Sequence, residues 1–166
     1  MKKIYTFHTG LDNGVVLTAG TIDTHFFLTV NSDPDFAGHD AFVANLGAEN
    51  PWMLNSATSQ WIAPRTDVMS CGPTNTKGDY NYRLTFELTK LQSGNAVLFG
   101  MLAADDSADV ILNGNVNAMC EAQYDRYTPF TFGAGFAEGK NTLDFAVYNA
   151  GWQTGIKAEI CVWSLD

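Results

Sequence analysis

Residues 98–149 read LFGMLAADDSADVILNGNVNAMCEAQYDRYTPFTFGAGFAEGKNTLDFAVYN, and the way this stretch breaks up decides the fold. Four apolar segments, 98–102, 109–112, 130–132 and 143–148, are separated by acidic or Asn/Gly turns. Segments of this length, rich in Val, Ile, Leu and Phe and bounded by turn residues, are strands. Asn113-Gly114 between two of them marks a tight hairpin, because a type I′ turn needs positive φ at both central residues. The stretch predicts antiparallel sheet.

The pattern continues on both sides of it. Upstream, Tyr80, Tyr82, Leu84, Phe86 and Leu88 alternate with Asn81, Arg83, Thr85, Glu87 and Thr89, which predicts one strand face on a core and the other turned away from it. Downstream, Ile156, Ala158, Ile160 and Val162 alternate with Lys157, Glu159, Cys161 and Trp163. Residues 4–30 predict two strands around the Asp12-Asn13-Gly14 turn, then a strand over 22–30 with Phe26, Leu28 and Val30 on one face and His25, Phe27 and Thr29 on the other, covered on both sides. Residues 31–79 carry Asp33-Pro34-Asp35, Gly38, Pro51, Pro64, Gly72-Pro73 and Gly78, which break any long element. So long an irregular segment predicts a functional loop system, with a short strand at 41–44. No stretch has a helical period, and no repeat or low-complexity tract is present, so the chain reads as an all-β antiparallel β-sandwich.

Several of these residues resemble the jelly-roll domain of the galactose-binding-like superfamily, in the form found in bacterial surface and exported proteins. They are Ala104-Asp105-Asp106, Val110-Ile111-Leu112-Asn113-Gly114, Phe136-Ala137-Glu138-Gly139-Lys140-Asn141-Thr142-Leu143, Asn149-Ala150-Gly151 and Thr154-Gly155-Ile156. Ser59-Gln60-Trp61-Ile62-Ala63-Pro64 with residues 80–89, and more faintly Gly20-Thr21-Ile22-Asp23-Thr24-His25-Phe26, are similar too. The resemblance implies the fold. It leaves the ligand open, because this fold carries many specificities and some purely structural roles.

Length and composition narrow the function. A chain of 166 residues, 46% apolar and 16% charged, suits one domain over residues 1–166. A net charge of −9, with no basic cluster beyond Lys2-Lys3, disfavours a phosphate backbone or an anionic membrane surface as the natural partner. No apolar run is long enough to insert into a membrane, and Met1 to His8 lacks the apolar core of a secretory signal. The resemblance implies an extracellular or cell-surface protein, and the lack of a signal adds a virion-associated one. Cys71, Cys120 and Cys161 lie far apart, which disfavours zinc and leaves either one disulfide with a buried thiol or three buried thiols.

The chemistry points to binding and away from catalysis. There is no nucleophile elbow, no paired-histidine metal motif and no phosphate loop, and His8, His25 and His39 are scattered. Trp61 reads either as a sugar-stacking platform or as a core plug. Trp52 and Trp152 sit in loop contexts that favour exposed contacts, and Trp163 reads as packing. Asp23, His25, Asn55 and Asn149 are candidate polar partners for a ligand. Asp105, Asp106 and Asp109 read either as turn residues or as carboxylates of a calcium site. The expected function is a non-enzymatic carbohydrate-binding or adhesion module, lectin-like, that takes a glycan or cell-surface polysaccharide. The alternative is a self-assembling filament, sheath or phage-particle subunit, a homo-oligomer that pairs through its sheet edges.

Overall fold

Alternation of apolar and polar residues builds nearly every long strand of this chain. The computed structural model describes residues 1–48, 50–72, 76–120 and 123–165, with side chains for all of these except 116–120. The strands are β1 (Lys2–His8), β2 (Leu11–Asp12), β3 (Val15–Val16), β4 (Ile22–Asn31), β5 (Asp40–Val43), β6 (Ile62–Ala63) and β7 (Gly78–Leu88). After a six-residue helix α1 (Lys90–Asn95) come β8 (Ala96–Asp105), β9 (Ser107–Leu112), β10 (Asn115–Cys120), β11 (Thr128–Phe132), β12 (Gly139–Asn149) and β13 (Gly155–Ser164).

The main sheet runs β10-β9-β12-β7-β4-β5-β6-β13-β8-β11, with β1 also paired to β13, and every pairing in it is antiparallel. It folds over at the short strands β5 and β6, so that β10-β9-β12-β7-β4 forms one layer and β1, β13, β8 and β11 form most of the other. The result is a jelly-roll sandwich. Leu84, Phe145, Val110 and Phe26 from the first layer meet Ile160, Leu98, Leu102 and Phe130 from the second in one continuous core. Phe86 is buried there, as its strand phase predicts.

Both Asn-Gly turns behave as their chemistry requires. Asn13 and Asn113 have φ 50, Gly14 has φ 79 and Gly114 has φ 78, and each pair closes a two-residue hairpin, Asp12 facing Val15 and Leu112 facing Asn115. A short strand at Asp40–Val43 also forms where the sequence predicts one.

Three expectations need correction. First, a helix is present: Thr89 caps α1 and exchanges bonds with Gln92 in a capping box. Six residues are too few to display a 3.6 period, and the readable sign was Thr89 followed three positions later by Gln92. Second, β4 is not covered on both sides, because Phe27 is exposed on its outward face. Third, Val30 does not share the core face of Phe26 and Leu28. A register shift between Leu28 and Val30 turns it outward, 47% exposed. Among the cysteines, Cys71 is a buried free thiol and Cys161 a partly exposed one, while the Cys120 side chain lies outside the described residues.

Candidate functional site

The outward face of the first layer is polar, and its pleat explains how it is arranged. On β12 the outward residues are Asp144, Ala146 and Tyr148; on β7 they are Asp79, Asn81 and Arg83; on β9, Ser107 and Asp109. Register places Tyr148 between Asp79 and Ser107, and Ala146 between Asn81 and Asp109. Ala146 is the small residue of the row, so a depression of about 290 Å³ opens above it, walled by Val30, Asp79, Asn81, Asp109 and Tyr148. Tyr148 is 49% exposed.

Neighbouring groups fix this floor. Asp144 takes a two-pronged bond from Arg83, Oδ1 to Nε at 2.7 Å and Oδ2 to Nη2 at 2.9 Å. The Arg83 hydrogen bond is the largest cause holding the guanidinium more basic than usual. Asn81 donates to Asp144 Oδ1 at 2.7 Å and also to the Thr29 hydroxyl. The amide plane of Asn81 is thereby set, while the carboxylates of Asp79 and Asp109 border the depression. An aromatic face beside fixed planar polar groups is the arrangement that receives a sugar ring, with C–H groups on the ring and hydroxyls on the acceptors.

At the end of β12 the chain turns through 149–154 and presents Trp152, 56% exposed, at φ 67. Buried Asn149 holds this loop from inside by donating to the Thr76 carbonyl at 2.7 Å, and the Thr76 hydroxyl bonds the Trp152 carbonyl. Asp106 accepts from Ala150 N at 2.7 Å.

The remaining sequence-predicted residues serve the architecture. Trp52 is buried, which corrects the expectation of an exposed contact: its Nε1 donates to Asp105 Oδ2 at 2.6 Å and its ring lies 4.2 Å from that of Trp61. Trp61 is fully buried and donates to the Met53 carbonyl at 2.8 Å, which resolves its two readings in favour of packing. Asn55 accepts from Trp61 N at 2.8 Å. Asp23 is buried at the start of β4, where it accepts from Gly10 N at 2.6 Å and His25 N at 2.9 Å. Its carboxylate, 3.7 Å from His25 Nδ1, raises the imidazole's pKa, and that ring packs edge-on against Phe7.

Nor do the three carboxylates at 105, 106 and 109 gather. Asp105 is buried against Trp52, Asp106 bonds Ala150, and Asp109 lines the depression above Ala146. Burial raises the Asp105 pKa to about 7, against the pull of the Trp52 N–H and with a further push from Asp106. Among the described residues no group of three or more His, Cys, Asp or Glu is placed to hold a metal ion. The three carboxylates are therefore not gathered at one point.

Sequence reasoning missed Tyr148, Asp79 and Asn81 as site residues. The available signal was the strand phase, since Tyr148 shares the outward parity of Asp144 while being aromatic.

Among known proteins, no family model and no curated protein matches the chain. Solved structures do. An adhesin domain of Lys-gingipain from Porphyromonas gingivalis is 13% identical with a TM-score of 0.51, over 98% of this chain and 99% of that one. A family 35 carbohydrate binding module from Clostridium thermocellum is 12% identical with a TM-score of 0.39, over 97% of this chain and 99% of that one. A mannanase from Podospora anserina is 16% identical with a TM-score of 0.42, over 99% of this chain, which spans only 28% of that enzyme. With the adhesin domain the chain shares its fold, an antiparallel β-sandwich.

Proposed function

We propose that this domain is a non-enzymatic carbohydrate-binding module that takes its glycan on the outward face of the first layer. The observation that carries the reading is the half-exposed Tyr148 beside a depression floored by Ala146 and bordered by Asp79, Asn81 and Asp109. Carboxylates accept from sugar hydroxyls, the fixed amide of Asn81 orients them, and the phenol ring receives the apolar face of a neutral or amino sugar. An anionic sugar is disfavoured by the two carboxylates and the net charge of −9. Trp152, on the loop that leaves β12, gives a second stacking surface at the same end of the strand. Such a module works outside the cell, where it tethers its chain to a polysaccharide. The adhesin neighbour supports the fold and leaves the ligand to these residues.

A glycan array followed by titration calorimetry tests this. Tyr148→Ala and Asp109→Asn should each weaken the best array ligand by about tenfold or more, an interaction of stacking or charge-assisted hydrogen-bond size. Chelating calcium should leave the affinity unchanged. A blank array, or both variants binding like the parent, would overturn the proposal.

A further inference from the structure

The second layer carries another groove, of about 500 Å³, on its own outward face. Register aligns it in two rows across four strands: His8, Glu159, Met101 and Pro129 in one, Thr6, Cys161, Phe99 and Thr131 in the next, with Trp163 beyond Cys161. Gly100 contributes only backbone to the floor between Phe99 and Met101, and its inner side is filled by the Phe130 ring. Phe99 is 46% exposed and Met101 39%. A volume of this size, with apolar walls and few polar groups, matches small-molecule sites.

We infer that this groove binds a small organic cation with an apolar body, of the alkyl- or aryl-ammonium class, with Glu159 as its counter-ion and Trp163 and Phe99 as the surfaces that receive it. Charge sets this choice. Glu159 Oε1 accepts from Thr58 Oγ1 and Ser59 Oγ at 2.8 Å each and from Tyr127 at 3.2 Å. Burial alone would raise its pKa, but these hydroxyls outweigh it and keep the carboxylate ionised. Apart from His8 no side chain of the lining is basic, while Met1 also lines the groove and carries an α-ammonium. Lys157, two residues before Glu159 on the same strand face, feels its charge but spends its Nζ on the Leu54 carbonyl at 2.7 Å and the Tyr127 ring, outside the lining. His8 accepts from Ile160 N at 2.9 Å through Nδ1, and burial lowers its pKa, so it stands neutral at pH 7. Lys3 faces Trp163 across β1 but lies outside the lining. An ionised carboxylate set among a Trp, a Phe and a Met favours a cation over a neutral or anionic guest, because the aromatic faces add cation–π attraction to the charge pair.

The test uses the whole chain with benzyltrimethylammonium and choline as probes, each followed by calorimetry and by Trp fluorescence. The neutral tert-butyl isostere of choline and benzoate serve as controls. Saturable binding of a cation is expected, at least about tenfold tighter than the neutral isostere and without measurable benzoate binding. Glu159→Gln keeps an oxygen for Thr58 and Ser59 and should lose that preference; Phe99→Ala, on the exposed face, should weaken binding without touching Glu159. Equal affinity for the isostere, an unchanged Glu159→Gln, or no cation binding up to about 10 mM would overturn the inference. So would concentration-dependent dimerisation abolished by Phe99→Ala, which would assign the groove to a second copy of the chain.

Discussion

The outward face of β8 and β13 is one surface with two fates. Its first half, Ala103, Asp105, Gly155 and Lys157, is roofed by residues 50–71, whose Trp52, Trp61, Val68 and Cys71 form a second small core with Ala44, Ala63 and Ala103. Its second half, Met101, Phe99, Glu159, Cys161 and Trp163, has no such roof among the described residues. Side-chain size tells the halves apart. Where the roof lies, the sheet offers alanine and glycine, and a Cβ on Gly155 would stand 2.7 Å from the Ile62 carbonyl and 3.1 Å from the Trp52 ring. Where there is none, it offers a Phe, a Met and a Trp. The difference teaches that large apolar residues on the open half are not there to seat a loop of this chain.

That contrast can be broken most directly at the roof. Trp61→Ala should cost about 3–5 kcal/mol in denaturant unfolding, the loss expected when a fully buried tryptophan leaves a cavity. A loss under about 1 kcal/mol would mean that the roof is a loose loop and the two halves are alike. Gly155→Ala should cost about 1–3 kcal/mol by the same measurement, because the added methyl has only backbone and a packed indole to displace. A neutral result there would show that the roof rides higher than its contacts say.

Asp105→Asn sharpens the comparison through pH. The folded protein keeps the Asp105 proton up to about pH 7, whereas an unfolded Asp releases it near its ordinary 3.8. Between those values the folded state binds more protons, so this group's contribution to stability falls as pH rises through the window. The asparagine variant keeps an acceptor for Trp52 Nε1 and removes the titration; it should be about 1–2 kcal/mol more stable than the parent at pH 8 and show a flatter profile between pH 4 and pH 8. An unchanged pH profile would place the carboxyl in water instead of under the roof. The smallest effect belongs to the open half, where Phe99→Ala should stay within about 0.5 kcal/mol. A cost above about 2 kcal/mol would show that Phe99 is packed after all.

The legibility of the molecule follows the same boundary. Strand phase in β7 and β13 and the two Asn-Gly hairpins are readable because period-two burial and positive φ are local demands. The bulge before Val30 is not, since it adds a residue without changing composition. Trp52 looked exposed because Asn50 and Pro51 beside it are loop residues, but its seat is Gly155 and Ala103, more than fifty positions away along the chain. Trp163 was assigned to packing although its parity sets it opposite Val162, on the outward side, and Tyr148 was passed over for the same reason. Outward aromatics on well-phased strands were the signal, and it pointed to sheet faces before loops.

The pairing of β13 carries a consequence for how the molecule comes together in time. This strand, residues 155–164, lies between β8 on one side and β1 and β6 on the other, so Lys2 meets Ser164 and Ile62 meets Ile156. Until it is synthesised, β1 has no partner strand and β8 has only β11. The first layer, in contrast, is complete once β12 has formed. Such long closures impose an entropic delay, so maturation should be slow, on the millisecond-to-second scale, and should end with a single late zipping of the last strand between the first strand and β8.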